Sequence, residues 1–554
     1  MTEEKNKHKP NERQQQCIDT INGKVMVLAG PGTGKTFTVT KRIARMLADG
    51  IKPNKILCLT FSDAAASEMK TRLNNEAGII ASAVNIYTYH SFCNEIIKMY
   101  PDRFGVSQNI SLINSTLERE LMVETIDEAD IRAFISPRGG KYLYIDTFLK
   151  SVSKLKALRT NKENYLKNIE TNPDLMPRIK ILQSEIEEKQ KKGDTRIVTR
   201  LNEIAKIEEK IEKAKEIWNI YEIYTKKMTE HDLIDFSDMI NLVIDKFEED
   251  NTFLKEVSNH YKYFMVDEYQ DTNDLQNKVL FNLLDANDYK NVFVVGDDDQ
   301  IIYGFQGANS ENVDNFLRKY PDTKVICLVE NNRSTQSILD LSYRIVTQDT
   351  TRLENNPLFQ AHNIEKKLKA KNKKIIAKEQ KIKRWQFGEL VQEYNYIAQD
   401  IQKLIDSENC PVDETTGEKK LSEIAVISTK KSELREFEEL LKAKNIPCQL
   451  NEGLDIFKIR SVITIYFYMK ALNNRINDSD KLFGLLLTEP FCINLNDYNR
   501  LQKEFKKQNT EHNDFIANMK RPFGWINPKK ISEFVNTFEY LQTYAATNNL
   551  RNTI

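Results

Sequence analysis

The sequence predicts an α/β fold built around a parallel β-sheet. Short apolar runs alternate with helical stretches, a glycine-rich turn follows the first run, and two later runs end in acidic residues. Strands joined through helices need crossover connections, and these place the strands parallel in one sheet. The predicted strands are 25–29, 56–60, 263–266, 292–295 and 325–328.

The helical pattern is clearest after the first two strands and in the middle of the chain. One helix is expected to run to Leu47 and another to cover 63–73. Residues 112–232 differ in character, because their centre, 178–227, is rich in Lys and Glu and carries apolar residues at spacings of three and four. With a turn at Gly193-Asp194, this segment predicts an antiparallel helical hairpin inserted between strands.

Beyond the first sheet the pattern is less regular. Residues 366–384 hold ten Lys or Arg and one acid, a composition more typical of a solvated loop than of a phosphate contact. A strand is predicted at 424–427 and a helix at 432–444, while 475–554 has a mostly helical pattern.

Composition excludes several classes of protein. The 554 residues suggest three or four domains, and 29% charged with 40% hydrophobic residues is the balance of a globular chain. The 81 basic and 81 acidic residues cancel, so any nucleic-acid site is a local patch. Seven Cys without a C-x-x-C pair argue against a disulfide scaffold or a Cys-rich metal site. With neither a signal peptide nor a membrane span in the sequence, we expect a cytoplasmic protein.

The glycine-rich turn after the first strand has the features of a phosphate-binding loop. It departs from the strict pattern only at Ala29, which replaces the first Gly. Backbone N–H groups from Gly32 to Lys35 would surround phosphates, Lys35 would neutralise their charge, and the Thr36 hydroxyl would ligate Mg²⁺. The predicted nucleotide contacts are Ala29, Gly30, Pro31, Gly32, Thr33, Gly34, Lys35 and Thr36.

A phosphate loop needs an acidic partner at the end of a neighbouring strand. Asp267 and Glu268 follow the strand 263–266 directly. Asp267 is predicted to hold Mg²⁺ through water, and Glu268 to orient and deprotonate the attacking water.

A second acidic turn follows the strand 292–295. Gln300 lies where it could reach the γ-phosphate, and Tyr303 and Phe305 could stack on bases of a single strand. A calcium loop is the competing interpretation of the three preceding acids, but their spacing does not fit the EF-hand pattern.

Taken in order, these blocks resemble those of the UvrD/Rep-type superfamily 1 DNA helicases. The resemblance covers about residues 1–475 outside the helical insertion, and its most specific block is 267–273, which matches D-E-[FY]-Q-D-T-N. Further similar blocks occur at 11–14, 60–72, 87–91, 234–239 and 332–335.

The resemblance implies roles for individual residues. Gln14 would read the adenine edge, and Arg333 would stabilise the transferring phosphate from the second motor domain. The residues implied in binding single-stranded DNA are Phe61, Thr88, His90, Tyr303 and Phe305.

The sequence also departs from the family pattern. Asn332 stands where the family has a Tyr that stacks on adenine, Phe37 replaces an Arg after the phosphate-loop Thr, and Gln306 replaces the Arg of an aromatic-Arg pair. Two C-terminal blocks of the family, the second of which supplies a further catalytic Arg, are not recognisable. We therefore expect the chain to be a fragment, or one half of a split machine.

The resemblance implies two RecA-like domains, the second incomplete. Residues 1–111 with 233–320 would form the first, 112–232 the helical insertion, 321–474 part of the second, and 475–554 the start of another helical insertion.

The implied activity is that of a Mg²⁺- and ATP-dependent motor that tracks 3′ to 5′ on single-stranded or partly duplex DNA and separates strands. The alternative is an ATP-gated DNA-binding subunit whose turnover needs a C-terminal remainder or partner chain. A phosphate-loop ATPase unrelated to DNA is disfavoured by Phe61, His90 and Phe305 at family positions. No membrane partner is expected.

Overall fold

The chain divides into two compact units, residues 1–383 and 384–554. The computed structural model describes residues 9–105, 110–134, 141–191, 197–302, 311–350, 352–355, 365–377, 379–408, 410–413, 417, 419–450, 462, 465, 468–469, 519–520 and 527–547.

The first unit is built on a six-stranded parallel sheet, which confirms the predicted α/β class. Its strand order is β3-β2-β6-β7-β1-β8, and β4–β5 and β9–β10 form two-stranded pairs. The strands are β1 (Lys24–Ala29), β2 (Ile56–Thr60), β3 (Asn85–Thr88), β4 (Ser111–Leu112), β5 (Leu233–Ile234), β6 (Tyr263–Val266), β7 (Asn291–Gly296), β8 (Lys324–Leu328), β9 (Glu330–Asn331) and β10 (Lys369–Ala370).

Helices cover both faces of this sheet, so its strands are buried on both sides, as parallel sheets require. The helices are α1 (Glu12–Asp19), α2 (Lys35–Ala48), α3 (Asp63–Ala77), α4 (Tyr89–Met99), α5 (Pro101–Phe104), α6 (Ser115–Glu128), α7 (Ile145–Leu158), α8 (Lys162–Thr171), α9 (Met176–Lys191), α10 (Val198–Glu230), α11 (Phe236–Glu249), α12 (Asn251–His260), α13 (Asp274–Ala286), α14 (Asn312–Lys319), α15 (Gln336–Val346), α16 (Lys373–Ile376), α17 (Leu390–Asp406), α18 (Lys431–Ala443) and α19 (Pro528–Thr547).

Two hydrophobic clusters form the core, one on each face of the sheet. Alternate residues of β1 point to opposite faces: Val25 and Val27 join the cluster with α1, α2 and α3, whereas Met26 and Leu28 join the cluster with α4 and α11 to α14. The carboxyl ends of all six strands therefore meet at one edge, held by a core on each side.

Strand β8 lies in this sheet, parallel to β1, with Met26 opposite Val325. The division drawn from the sequence at residue 320 places this strand in the second domain instead. Pairing with β1 makes this strand one edge of the first sheet, and the domain boundary at residue 320 stays a prediction.

The helices predicted within 112–232 are present as α6 to α10. Helices α9 and α10 are antiparallel, since Glu185 pairs with Arg200 while Arg178 pairs with Glu203, and their apolar stripes pack together. The predicted turn at Gly193-Asp194 lies outside the described residues.

A buried ion pair fixes this insertion to the first sheet's helices. The Lys156 ammonium on α7 lies 2.7 Å from both Asp235 Oδ2 and Asp238 Oδ2, and its side chain is 2% exposed. Asp235 and Asp238 also form the capping box that starts α11. One lysine thus joins the insertion to the helix start that follows it.

In the second unit, α17 and α18 pack through Ala398, Phe437 and Leu441. The predicted helix at 432–444 is confirmed within one residue, but the strand predicted at 424–427 is wrong: these residues form no strand, and the Ile427 side chain is exposed. Among the helices that the structure describes, none combines the length and apolar character needed to cross a bilayer.

Replacing Lys156 by Ala should destabilise the first unit. The change leaves Asp235 and Asp238 without their counter-ion, and breaking a buried pair costs about 3–5 kcal/mol. We expect about 3 kcal/mol, the lower end of that range, because the two carboxylates keep 20% and 21% exposure. Thermal unfolding checks this against Lys154→Ala, an exposed lysine on the same helix. Equal unfolding midpoints for the Lys156→Ala and Lys154→Ala proteins would contradict this prediction.

Candidate active site

The glycine-rich loop joins β1 to α2 at the carboxyl edge of the sheet. Gly32 and Gly34 have φ of +70° and +86°, which a residue with a side chain adopts at a cost. Space excludes a side chain as well: a Cβ on Gly32 would lie 2.7 Å from Arg333 Cβ, and one on Gly34 would lie 2.8 Å from Gln14 Nε2. The loop is therefore pressed between α1 and the segment after β9.

Helix α1 presents Gln14 to this loop. The buried Gln14 side chain donates from Nε2 to the Thr33 carbonyl (2.8 Å) and accepts from the Asn11 N–H (3.0 Å). Asn11 caps the helix in return, so a capping box fixes the amide. Gln14 lies against the loop that the sequence assigns to the nucleotide; contact with adenine stays a prediction.

Lys35, the first residue of α2, reaches two strand ends. Its Nζ lies 2.5 Å from Glu268 Oε2 and 3.3 Å from Gln300 Oε1. The Lys35 side chain is 10% exposed, so the ion pair is poorly screened by water. Three residues predicted to act in catalysis thus meet at one ammonium group.

Thr36 and Asp267, the neighbours of Lys35 and Glu268 in sequence, face each other with Thr36 Oγ1 3.5 Å from Asp267 Oδ2. Burial, reinforced by the negative charge of Glu268, raises the pKa of Asp267 to about 6, and Lys35 only partly offsets this. Burial and Glu268 likewise raise the pKa of Asp271 to about 6. This pocket holds more negative charge than its own cations neutralise.

The turn after β6 is strained at the proposed base. Glu268 has φ +50° and ψ +48°, the left-handed conformation, which costs an L-residue roughly 1–2 kcal/mol. Its carboxylate accepts from Lys35 and also from Gln270 Nε2 (2.8 Å). Such conformations persist where surrounding contacts enforce them, and they occur often at functional sites.

The turn after β7 interlocks with the turn after β6. The Asp297 N–H donates to Gln270 Oε1 (3.0 Å), and Gln300 Nε2 donates to Asp297 Oδ2 (2.6 Å). Gln300 is thereby held with its amide oxygen toward Lys35.

Arg333 approaches from the segment that follows β9. The Asn332 N–H donates to the Gly32 carbonyl (2.9 Å). The buried Asn331 side chain donates to the Pro31 carbonyl and accepts from the N–H groups of Arg333 (2.8 Å) and Ser334 (2.7 Å). Asn331 therefore links the phosphate loop to the turn that carries Arg333.

The residues implied in DNA binding share the same sheet edge. Phe61 follows β2 and Thr88 ends β3, and these strands pair with Thr60 opposite Thr88. Thr88 caps α4 through Ser91, and the half-buried His90 ring packs edge-on against the exposed Phe236 ring at 5.1 Å. Tyr303 and Phe305 lie outside the described residues.

Two family models together match most of the chain. The UvrD/REP helicase N-terminal domain matches residues 10–321, and the UvrD-like helicase C-terminal domain matches residues 326–526. The chain belongs to the UvrD/Rep helicase family.

Individual relatives in this family are distant in sequence. The chain is 27% identical over 533 residues to a protein of Staphylococcus epidermidis named ATP-dependent DNA helicase PcrA, covering 96% of this chain and 63% of the relative. Proteins of the same name from Leuconostoc citreum (27%; 87% and 54% covered) and Staphylococcus aureus (25%; 96% and 63% covered) are also similar. The chain thus spans less than two thirds of the length of these relatives.

Several residues of this family member's site escaped the sequence analysis. Asn331 and Gln270 make the links described above, while Arg352 and Lys366 pair with the acids after β7. Lys366 opens the basic stretch expected to be solvated, yet it is buried. The available signal was the run of three consecutive acids directly after a predicted strand, since charges that become buried need counter-ions.

Replacing Asp267 by Asn should stabilise the nucleotide-free protein at pH 7.5. A folded-state pKa near 6 against 3.8 unfolded means that the folded protein binds this proton more tightly. The stability that protonated Asp267 contributes is therefore complete at low pH and is lost as the pH rises through about 6. At pH 7.5 this loss lowers the free energy of unfolding by an amount on the order of 3 kcal/mol. The amide in Asp267→Asn cannot ionise, so the variant lacks this loss.

Thermal unfolding at pH 7.5 and pH 5 in a chelating buffer checks this. The advantage of Asp267→Asn should shrink by about 1.4 kcal/mol on going to pH 5. Asp271 titrates in both proteins, so its contribution to the free energy of unfolding cancels in the comparison. An advantage that stays constant with pH would show that Asp267 ionises normally.

Proposed function

We propose that this chain acts as an ATP-dependent motor on single-stranded DNA. The main support is the position of the Lys35 ammonium, which directly follows the glycine-rich loop and contacts both Glu268 and Gln300. This geometry is suited to binding a triphosphate and activating water beside it. The helicase names of the relatives agree with this proposal.

Nucleotide binding would exchange the partners of Lys35. Phosphate oxygens entering the glycine loop compete for the ammonium, so the 2.5 Å contact with Glu268 would open. Glu268 would remain held by Gln270 (2.8 Å) and would be free to accept a proton from water. The ion pair is therefore a resting contact that the substrate releases.

The residues present fit a magnesium ion. Thr36 and Asp267 offer oxygen ligands 3.5 Å apart, and Mg²⁺ commonly takes one or two protein oxygens with phosphate and water completing its shell. When bound, the ion would supply positive charge to the phosphates. Its charge would also favour the ionised form of Asp267, whose pKa burial raises.

DNA would bind on the same edge of the sheet. Phe61, Thr88 and His90 lie at the ends of β2 and β3, and β6, which carries Asp267 and Glu268, is the next strand. A shift at the end of β6 on nucleotide binding would therefore reach Phe61, Thr88 and His90 through the neighbouring strands of the same sheet. Movement from 3′ to 5′ is proposed on the family resemblance alone.

A second candidate is an ATP-gated DNA-binding subunit without turnover of its own. Asn332 favours it, because the family's stacking ring is replaced by an exposed amide whose backbone bonds to Gly32 and Asn372. Loss of stacking weakens the hold on the base, by about 1–3 kcal/mol in comparable base–aromatic contacts. Steady-state hydrolysis separates the two candidates.

We predict ATP hydrolysis that rises when oligo-dT is added. Lys35→Ala should lower hydrolysis at least about 100-fold, because it removes the phosphate-neutralising charge. Glu268→Gln should lower it by about 10²–10⁴-fold yet still bind ATP, because only the base is lost. Phosphate release and binding of a fluorescent ATP analogue measure the two effects.

Lys41→Ala is the matched control. Lys41 lies on the same helix, but its Nζ pairs with Glu76 Oε1 at 2.6 Å and not with the glycine-rich loop. It should hydrolyse ATP normally. Unchanged hydrolysis by Glu268→Gln would contradict the assigned base. ATP binding without hydrolysis by the unmodified chain would favour the second candidate.

A further inference from the structure

The turn after β7 buries three consecutive carboxylates. The side chains of Asp297, Asp298 and Asp299 are 2%, 7% and 17% exposed. Three neighbouring negative charges repel one another, and each loses hydration when it is buried. The turn keeps its shape only if cations from elsewhere in the chain neutralise it.

Lys366 is the cation that reaches all three. Its Nζ lies 3.2 Å from Asp297 Oδ1 and 2.9 Å from Asp299 Oδ2, and it pairs still more closely with Asp298. The Lys366 side chain is 6% exposed. Burial alone would lower the pKa of Lys366, but the three carboxylates outweigh burial and raise it, so the ammonium stays charged.

Arg352 completes the neutralisation from the other side. Its guanidinium donates two hydrogen bonds to the Asp299 carboxylate, of 2.8 and 2.7 Å. This bidentate geometry fixes the orientation of the carboxylate as well as neutralising its charge. Glu354 accepts from Arg352 Nη1 (2.7 Å) and from the Lys366 N–H (2.9 Å). The two cations, which lie far beyond the turn in sequence, are thus held in one network.

Asp297 connects this network to the reacting groups. Its Oδ1 faces Lys366, while its Oδ2 accepts from Gln300 Nε2 (2.6 Å). Its N–H donates to Gln270, whose amide in turn holds Glu268. Any movement of Asp297 therefore moves both groups that face Lys35.

We propose that Lys366 is a positioning residue for ATP hydrolysis, which holds Gln300 and Glu268 at the phosphate loop by neutralising the turn formed by Asp297, Asp298 and Asp299. This inference rests on the proposed function. Lys366 has no contact with Gln14 or with the glycine loop among the described hydrogen bonds and ion pairs, so its loss should impair the chemical step and leave nucleotide affinity intact.

The test compares Lys366→Met with Lys366→Arg and with Lys367→Met, the exposed neighbouring lysine. In ATPase assays without DNA, Lys366→Met should lower kcat by about 10²-fold, the effect of displacing a reacting group by an ångström. The Kd for a fluorescent, non-hydrolysable ATP analogue should stay within about threefold, well below a 1.4 kcal/mol change. Lys366→Arg should recover part of kcat, and Lys367→Met should match the unmodified chain.

A double variant separates positioning from folding. Asp298→Asn combined with Lys366→Met removes one charge of each sign, so it should hydrolyse ATP faster than Lys366→Met alone. Recovery of kcat without a rise in unfolding temperature supports positioning. A Lys366→Met protein that keeps the unmodified kcat overturns the inference, and so does a loss of kcat and analogue binding by the same factor.

Hydrogen exchange provides a readout independent of turnover. Amides in the peptide covering 297–300 should exchange faster in Lys366→Met than in Lys367→Met, because the turn has lost its counter-ion. Equal exchange overturns the inference even if the unmodified chain does not hydrolyse ATP. Absence of hydrolysis in the unmodified chain would instead count against the proposed function.

Discussion

The ion pair between Lys35 and Glu268 is the contact on which the candidate site depends. It joins residues after β1 and β6, two strands that are not neighbours, because β7 lies between them. The turn after β7 lies between these two strand ends and contributes Gln300 to the same ammonium. Gln270 then ties the turns after β6 and β7 together. One partly buried charge pair thus joins three strand ends.

Buried carboxylates impose the wider constraint. A parallel sheet gathers its strand ends at one edge, and in this chain those ends are rich in acids. Each acidic group needs a cation brought from elsewhere: Lys35 for Glu268, Lys366 and Arg352 for the turn after β7, and Lys156 for the start of α11. Burial, reinforced by the negative charge of Glu268, raises the pKa of Asp267, and Lys35 offsets this only in part. The site most ready to accept a cation is therefore the one beside the glycine loop.

Much of the fold could be predicted because its signals are local. Buried strands, the glycine turn and the acids that follow two strands are each contained in a few residues. Five of the six strands of the first sheet, including β8, occur where predicted, whereas β3 was not predicted. Pairing is not local: nothing near residue 325 indicates that β8 joins the first sheet, and residues 424–427 show that an apolar run without a partner strand forms no strand. Counter-ions are equally distant, so Lys366 in a basic run looked like a solvated residue.

A structure of the chain with Mg²⁺ and a non-hydrolysable ATP analogue tests the proposed nucleotide site most directly. We expect phosphate oxygens to replace Glu268 as the partner of Lys35, and Thr36 and Asp267 to face the ion. Gln270 should still hold Glu268 beside an ordered water near the γ-phosphate. Nucleotide bound elsewhere, with the Lys35–Glu268 contact still at 2.5 Å, would contradict the proposed site.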